Sequence, residues 1–414
     1  MNGKAGPSYA PRLASGLAQA LMALVPLIYL ARVLAPADIG YLGLTLAGAT
    51  LVQYLVSLRA EAAVGGDEGA ESARAGRDRS VVLGIALVGL ATVGLAGLAV
   101  GLAWPRFAPV FALAPALAAV RFVGALELAG VTDEKRIARH TALNTTGGLV
   151  GLVLTVGLIS GLGLGWPGRV LALVLTEGGI ALVRAAWLAH MGRPHRPAWD
   201  PAGARALIAG AAPALVTAVL GWALYNADRL VALATLTMSE VGSYVIAYRV
   251  GLALVVINRS LAFALAPRVH ARLDAGGGAA LVRLHLAYGG AVFALGAATA
   301  IAASVWTGAV FGSGFAPAAP IVAVVALGYG LQGFQRVAGI VRTRLGMAAP
   351  DPRHVGLAVA LHLAVSLVLV PVLGALGPAC GTLTGLATVA ILSIAGAYRA
   401  QRRAAPSTSG TSGP

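Results

Sequence analysis

The sequence predicts an all-α polytopic membrane protein of about twelve transmembrane helices, arranged as two six-helix pseudo-repeated lobes. Three observations predict it. Apolar residues make up 58% of the 414-residue chain and charged residues 11%, against roughly 25% charged in an ordinary soluble domain. Runs of about 20 apolar residues, the length an α-helix needs to cross a bilayer, recur from end to end. Two landmarks of the first half return in the same order in the second. Alternating strands of about ten residues, the mark of an outer-membrane barrel, are absent from the sequence.

The elements follow in order. Spans are expected near 13–34, 39–58, 81–103, 107–129, 141–162 and 168–190, then near 206–236, 240–267, 281–305, 317–341, 354–373 and 375–398. The first run is too long for a signal-peptide core and lacks a small-residue cleavage site, so it reads as a span. It carries Ser15, Gln19, Met22, Pro26 and Tyr29 at helical spacing, either a polar helix contact or a cavity wall kinked at Pro26. Pro36 and Asp38 suit a turn and an N-cap before the second span. The fifth span places Gly147/Gly151 and Gly157/Gly161/Gly165 four apart, which signals close helix packing. A polar, proline-rich break at 190–205 divides the chain. The expected domains are an N-lobe at 1–197, a C-lobe at 198–403 and a disordered tail at 404–414, small and polar in composition. In the repeat, Asp38-Ile39-Gly40 corresponds to Glu240-Val241-Gly242, and Arg139-His140 to Arg353-His354.

A net charge of +15 would suggest nucleic acid in a soluble protein. Here the basic residues gather at helix ends, so no nucleic-acid partner is expected. The N-terminus, the even-numbered connections and the C-terminus hold most of the Lys and Arg, whereas the opposite side has Arg32, Arg106 and Arg169. Such a bias places both termini in the cytoplasm. The single cysteine, Cys380, excludes an internal disulfide and a cysteine-based metal cluster. His190 and His195 lack companions at ligand spacing, so no metal is expected. With no phosphate-binding GxxxxGK[ST] loop and no large extramembrane loop bearing paired carboxylates, an enzyme is the weaker class.

Charges inside spans are costly and usually face a bundle interior or a wet path. The stretch Asn226–Val250, NADRLVALATLTMSEVGSYVIAYRV, carries Asp228, Arg229 and Arg249 around a short polar elbow. Arg121, Arg259 and Arg336 also lie within apolar runs, as do Glu127 and Glu177. Arg249 and Asp228 sit at similar distances from the elbow, so they either pair and fasten two spans together or belong to a path. Arg259 reads as a snorkelling anchor, and Glu177 as the more isolated charge of its span.

Several segments resemble one family. "NADRL…SEVGSYVIAYR" is similar to the helix-elbow-helix that opens the second half of oligosaccharide flippases, the polysaccharide transporters of the multidrug/oligosaccharidyl-lipid/polysaccharide (MOP) superfamily. LARVLAPADIGY, residues 30–41, resembles that family's "ARxLGPxxFGxY", with Ala35 where glycine is usual. SLRAEAAV, residues 57–64, resembles "LRYExAI", with Ala60 replacing an aromatic. GSGFAPAAP, residues 312–320, resembles "GxxYxPAxP", and PVLGALGPA, residues 371–379, resembles "IPxxGxxGAA". His362 stands where the family usually has Asn.

The resemblance implies a MATE-like fold around a central cavity, and alternating-access movement of a polyprenyl-(pyro)phosphate-linked oligosaccharide across a bacterial cytoplasmic membrane. The lipid-linked sugar, membrane lipids and a polysaccharide polymerase with its export machinery are the implied partners. No cofactor is expected beyond a proton or sodium gradient. Guanidinium binds phosphate oxygens bidentately and keeps its charge when buried. Arg121, Arg249 and Arg336 are therefore the expected substrate path, with Arg229, Arg32 and Arg59 as further contacts. Asp228, Glu177 and Glu127 are the candidates for a coupling ion. A drug/cation antiporter of the same superfamily is the alternative, although it would favour an acidic cavity. An integral-membrane glycan polymerase or ligase is a further alternative that would call for a larger loop.

Overall fold

The computed structural model describes residues 24–63, 73–128, 134–190, 197–276, 278–347 and 351–404. Among them the fold is helical throughout. Ser15, Gln19 and Met22, the side chain of Glu127, the His195 region and the tail beyond Ala404 lie outside the described residues. Helix α1 is described over Leu24–Val33. It is followed by α2 (Pro36–Ser57), α3 (Ala73–Ala103), α4 (Ala108–Leu128), α5 (Glu134–Val156) and α6 (Gly165–His190). The second half holds α7 (Pro201–Thr235), α8 (Met238–Asp274), α9 (Gly278–Phe311), α10 (Ala319–Arg344), α11 (Pro352–Leu373) and α12 (Leu376–Ala404). Eleven of these, α2 to α12, are long and apolar enough to cross a membrane. Leu102, Ile301, Val305 and Val372 are 76–81% exposed. Apolar surface on this scale is disfavoured in water and suits hydrocarbon, so the chain is a multi-pass membrane protein.

Local chemistry explains the helix ends. Pro36 starts α2 from Ala35, whose side chain gives no cap, and Asp38 sits in the first turn. The expected N-cap role of Asp38 is thus corrected. Its carboxylate lies two residues inside the helix start, where it favours the exposed N–H groups and the positive end of the dipole. At the elbow, Thr237 caps α8 in a capping box, accepting from the Glu240 N–H while the Glu240 carboxylate accepts from the Thr237 N–H at 2.8 Å. Asp351 caps α11 by accepting the Arg353 N–H at 3.0 Å.

The chain forms two compact units, one from Val33 to Trp222, the other from Ala223 onward together with the segment that ends at Arg32. The boundary falls inside α7. In the first unit α4 packs on α2, α3 and α6, and α5 packs on α6. Val56, Val82, Ile85, Phe122, Leu126 and Ala204 form one core, and Tyr41 stacks on Trp166 with ring centroids 5.9 Å apart. Close packing of the α5 glycines is seen at two of them. A Cβ on Gly147 would lie 2.3 Å from Ile180 Cδ1, and one on Gly151 would lie 3.1 Å from Thr176 Oγ1. Gly157 and Gly161 instead bound a π-helical turn and meet nothing within 4 Å. Spacing by four therefore overstates the contact, because the later glycines lie in a π-helical turn where the regular α-helical period no longer holds.

In the second unit α10 is the hub, packed on α8, α9 and α12, while α11 and α12 form a hairpin. The α9–α10 crossing requires glycine: a Cβ on Gly296 would approach the Ala326 carbonyl oxygen to 2.6 Å. His285 ties three helices together. Its Nε2 lies 2.8 Å from the Phe334 carbonyl and its Nδ1 2.9 Å from the Tyr398 hydroxyl. A carbonyl only accepts, so Nε2 carries the proton and Nδ1 accepts from tyrosine.

Candidate functional site

In the second unit the α7–α8 elbow brings two charges into the interior by different means. Asp228 on α7 is fully buried. Its Oδ2 accepts the Tyr244 hydroxyl of α8 at 2.7 Å and the Thr382 hydroxyl of α12 at 2.8 Å. Its Oδ1 accepts the backbone N–H of Arg229 at 2.8 Å. His362 of α11 extends the set, with Nε2 3.5 Å from Thr382 Oγ1. The carboxylate is thus held by hydroxyls from two other helices, partners that the elbow sequence did not suggest. Gly381 makes this possible, since a Cβ there would lie 2.0 Å from Ser366 Oγ and 2.6 Å from the His362 carbonyl.

Arg229 is 4% exposed. It donates from Nη1 to Asn226 Oδ1, and its guanidinium carbon lies 3.4 Å from the Tyr248 ring centroid. This cation–π contact continues into aromatic packing of Tyr248 on Tyr329 (6.0 Å) and Tyr329 on Tyr225 (6.1 Å), and Gln332 donates to the Tyr225 hydroxyl at 3.0 Å. Arg249 is half-buried on α8.

Farther along α8, α10 and α12 lies a cavity of about 440 Å³. Arg259 and His270 reach it from α8, Gln335, Arg336, Arg342 and Thr343 from α10, and Ser393 from α12. Among the described residues its lining contains no carboxylate. Arg259 is therefore a cavity residue as well as an exposed one, which extends the anchor reading. Arg342 lies over Gly396 and pairs with Asp351 at 3.2 Å. Burial pushes the Asp351 carboxyl up, but the Arg353 N–H, His354 and Arg342 outweigh it and hold the group below its ordinary value. Nearby, Arg344 pairs with Asp274 at 3.1 Å, joining the ends of α10 and α8.

The other sequence candidates are placed elsewhere. Arg121 on α4 pairs with Glu177 on α6 at 3.2 Å in the first unit. Glu177 is thus not the isolated charge expected, because α4 packs on α6 and brings an arginine opposite it. Arg59 pairs with Glu61 at 3.0 Å and lies over the Tyr54 ring at 5.3 Å. Leu58 and Arg59 both have left-handed backbone (φ 47° and 56°), costly for residues with a side chain. Arg32 donates to the backbone carbonyls of Ala309 and Val310. Of the six candidate arginines, Arg336 lines the cavity and the other five are not among its lining residues. Tyr244, Thr382, His270, Arg342 and Ser393 were not singled out from sequence. A signal existed for part of the cavity. Arg259 and His270 are eleven residues apart, about three helical turns, and Arg336 and Thr343 are seven apart, about two turns.

No family model matches the chain, and no curated protein matches it. Solved structures do. An inward-facing multidrug resistance MATE family transporter of the MOP superfamily aligns at 15% identity and TM-score 0.61, over 97% of each chain. A MOP superfamily transporter from Pyrococcus furiosus, described as having a binding pocket of reverse polarity that suggests a different function, aligns at 15% identity and TM-score 0.58, over 95% of this chain and 94% of that one. A mutant of the Vibrio cholerae MATE transporter VcmN aligns at 16% identity and TM-score 0.54, with the same coverage. At such identity the likeness speaks for the fold alone, and the fold is that of MATE transporters of the MOP superfamily.

Proposed function

We propose that this chain is a secondary transporter that moves its cargo across a membrane by alternating access, without enzymatic chemistry of its own. The carrying observation is the whole-chain likeness to an inward-facing MATE transporter, which spans 97% of both chains. A bacterial cytoplasmic membrane with both termini inside is the setting we assign, from the Lys/Arg distribution.

Two readings of the cargo follow. The solved neighbours favour a drug or organic-cation antiporter. In this chain it is supported by Asp228, a buried carboxylate held by hydroxyls, where uptake of a proton or sodium ion would neutralise charge. The second reading is a flippase for a polyprenyl-linked oligosaccharide, working with a polymerase and export machinery. It rests on the sequence resemblance and on a cavity whose lining, among the described residues, holds three arginines and no carboxylate, which suits an anionic cargo. Arg121, Arg249 and Arg336 remain its proposed contacts, with Arg229, Arg32 and Arg59 flanking. Asp228, Glu177 and Glu127 are the proposed coupling carboxylates in either case.

Purified protein in proteoliposomes separates the two. One arm follows a fluorescent organic cation under an imposed proton or sodium gradient. The other follows protection of a lipid-linked oligosaccharide from an external glycosidase. Gradient-driven cation movement without lipid movement supports the antiporter; the reverse supports the flippase. Movement in neither arm, with correctly inserted protein, ends both readings.

A further inference from the structure

We propose that the cavity between α8, α10 and α12 is a binding site for a phosphate-bearing anion, presented either by the headgroup of an anionic membrane lipid or by a soluble phosphate. Its lining supplies the guanidinium groups of Arg259, Arg336 and Arg342, the imidazole of His270, and the hydroxyls of Thr343 and Ser393. These are donors suited to phosphate oxygens, and guanidinium forks fit such oxygens two at a time. Arg342 is 6% exposed and Ser393 2%, while Arg336 is half-buried and Arg259 exposed. The site thus has a buried floor and an open rim.

Asp351 pairs with Arg342 at 3.2 Å, and a phosphate group would bring one or two further negative charges to the guanidinium groups of the cavity. The cavity, at about 440 Å³, falls within the size range of small-ligand sites, roughly 300–1,000 Å³.

Position favours the membrane as one source. The cavity lies toward the helix ends that also carry Arg268, Arg272, Arg344, Arg399, Arg402 and Arg403. The Arg344–Asp274 pair and the bond from Gln401 Nε2 to the Gly276 carbonyl (3.5 Å) hold those ends together. Basic pockets between spanning helices at such a level take anionic lipid headgroups. The inference does not rest on the transport reading, because binding is measured without any gradient. A chain that binds but moves neither cargo would retain this site and lose that reading.

The test uses full-length protein in nanodiscs. In phosphatidylcholine discs, inorganic phosphate and pyrophosphate are titrated at constant ionic strength. In discs doped with phosphatidylglycerol, the lipid retained is counted by native mass spectrometry. Saturable binding in the first arm assigns a soluble source, and selective phosphatidylglycerol retention assigns the lipid. Either should weaken roughly tenfold or more in Arg336→Gln, as loss of one charge-assisted contact predicts, and stay unchanged in Arg106→Gln. Should Arg336→Gln fail to fold, Arg259→Gln at the exposed rim takes its place. Binding in neither arm, or binding that the cavity variant leaves unchanged, overturns the proposal.

Discussion

Arg121 with Glu177 in the first unit and Asp228 with Arg229 in the second meet one physical problem with different solutions. The first pair joins opposite charges across two helices at 3.2 Å, and each side chain keeps about a quarter of its surface exposed (26% and 29%). In the second, neighbouring residues on one helix are almost fully buried and held by separate neutral partners, hydroxyls for the carboxylate, an amide and an aromatic face for the guanidinium. Partial access leaves each member of the first pair room for another polar partner, so losing one of them costs less. Full burial makes the second arrangement depend on every partner, because an unmatched polar group there bears its whole desolvation cost. An ion pair is therefore the weaker fastening, and the hydroxyl network the stronger.

The largest expected effect is at Asp228. Asp228→Ala removes the carboxylate that the Tyr244 and Thr382 hydroxyls share and should lower stability by about 3 kcal/mol, read by unfolding in detergent. A loss comparable to that of Arg121→Gln would break the contrast. Next is Gly381→Ala, which forces a Cβ against Ser366 Oγ and the His362 carbonyl and should cost about 2 kcal/mol through overpacking.

A double-mutant cycle of Tyr244→Phe with Thr382→Val should give a coupling energy on the order of 1 kcal/mol, since the two hydroxyls are 3.0 Å apart and share one oxygen. Strict additivity would mean that they act separately. Arg121→Gln should cost less than Asp228→Ala, on the order of 1 kcal/mol, because glutamine keeps a donor facing Glu177.

The smallest effect concerns Asp351. Its folded value lies below the ordinary 3.8, so its contribution is complete above that value and fades as pH falls through the lowered one. Asp351→Asn keeps a capping side chain but loses the charge facing Arg342. The variant should be less stable than the parent by under about 1 kcal/mol at neutral pH, with the gap closing at acidic pH below 3.8. A gap that persisted there would assign the effect to the cap.

Most helix positions were legible in the sequence, because the cost of placing polar backbone and side chains in hydrocarbon is local and accumulates over one run of residues. The elbow before α8 was legible as a short polar break, whereas the capping box of Thr237 and Glu240 that closes it emerged only in the structure. Partnership was not legible. Arg121 and Glu177 are 56 positions apart, and Asp228 and Thr382 are 154 apart. Hydropathy states that a buried charge needs a partner without stating which helix face brings one. Those choices were made by helix crossings, where small residues such as Gly381 and Gly396 let backbones and long side chains close in. The chain alone thus determined a helical membrane protein and the spans that build it. Only the tertiary structure decided which charges are tied off and which arginines surround a common cavity, because that depends on side-chain packing between helices remote in sequence.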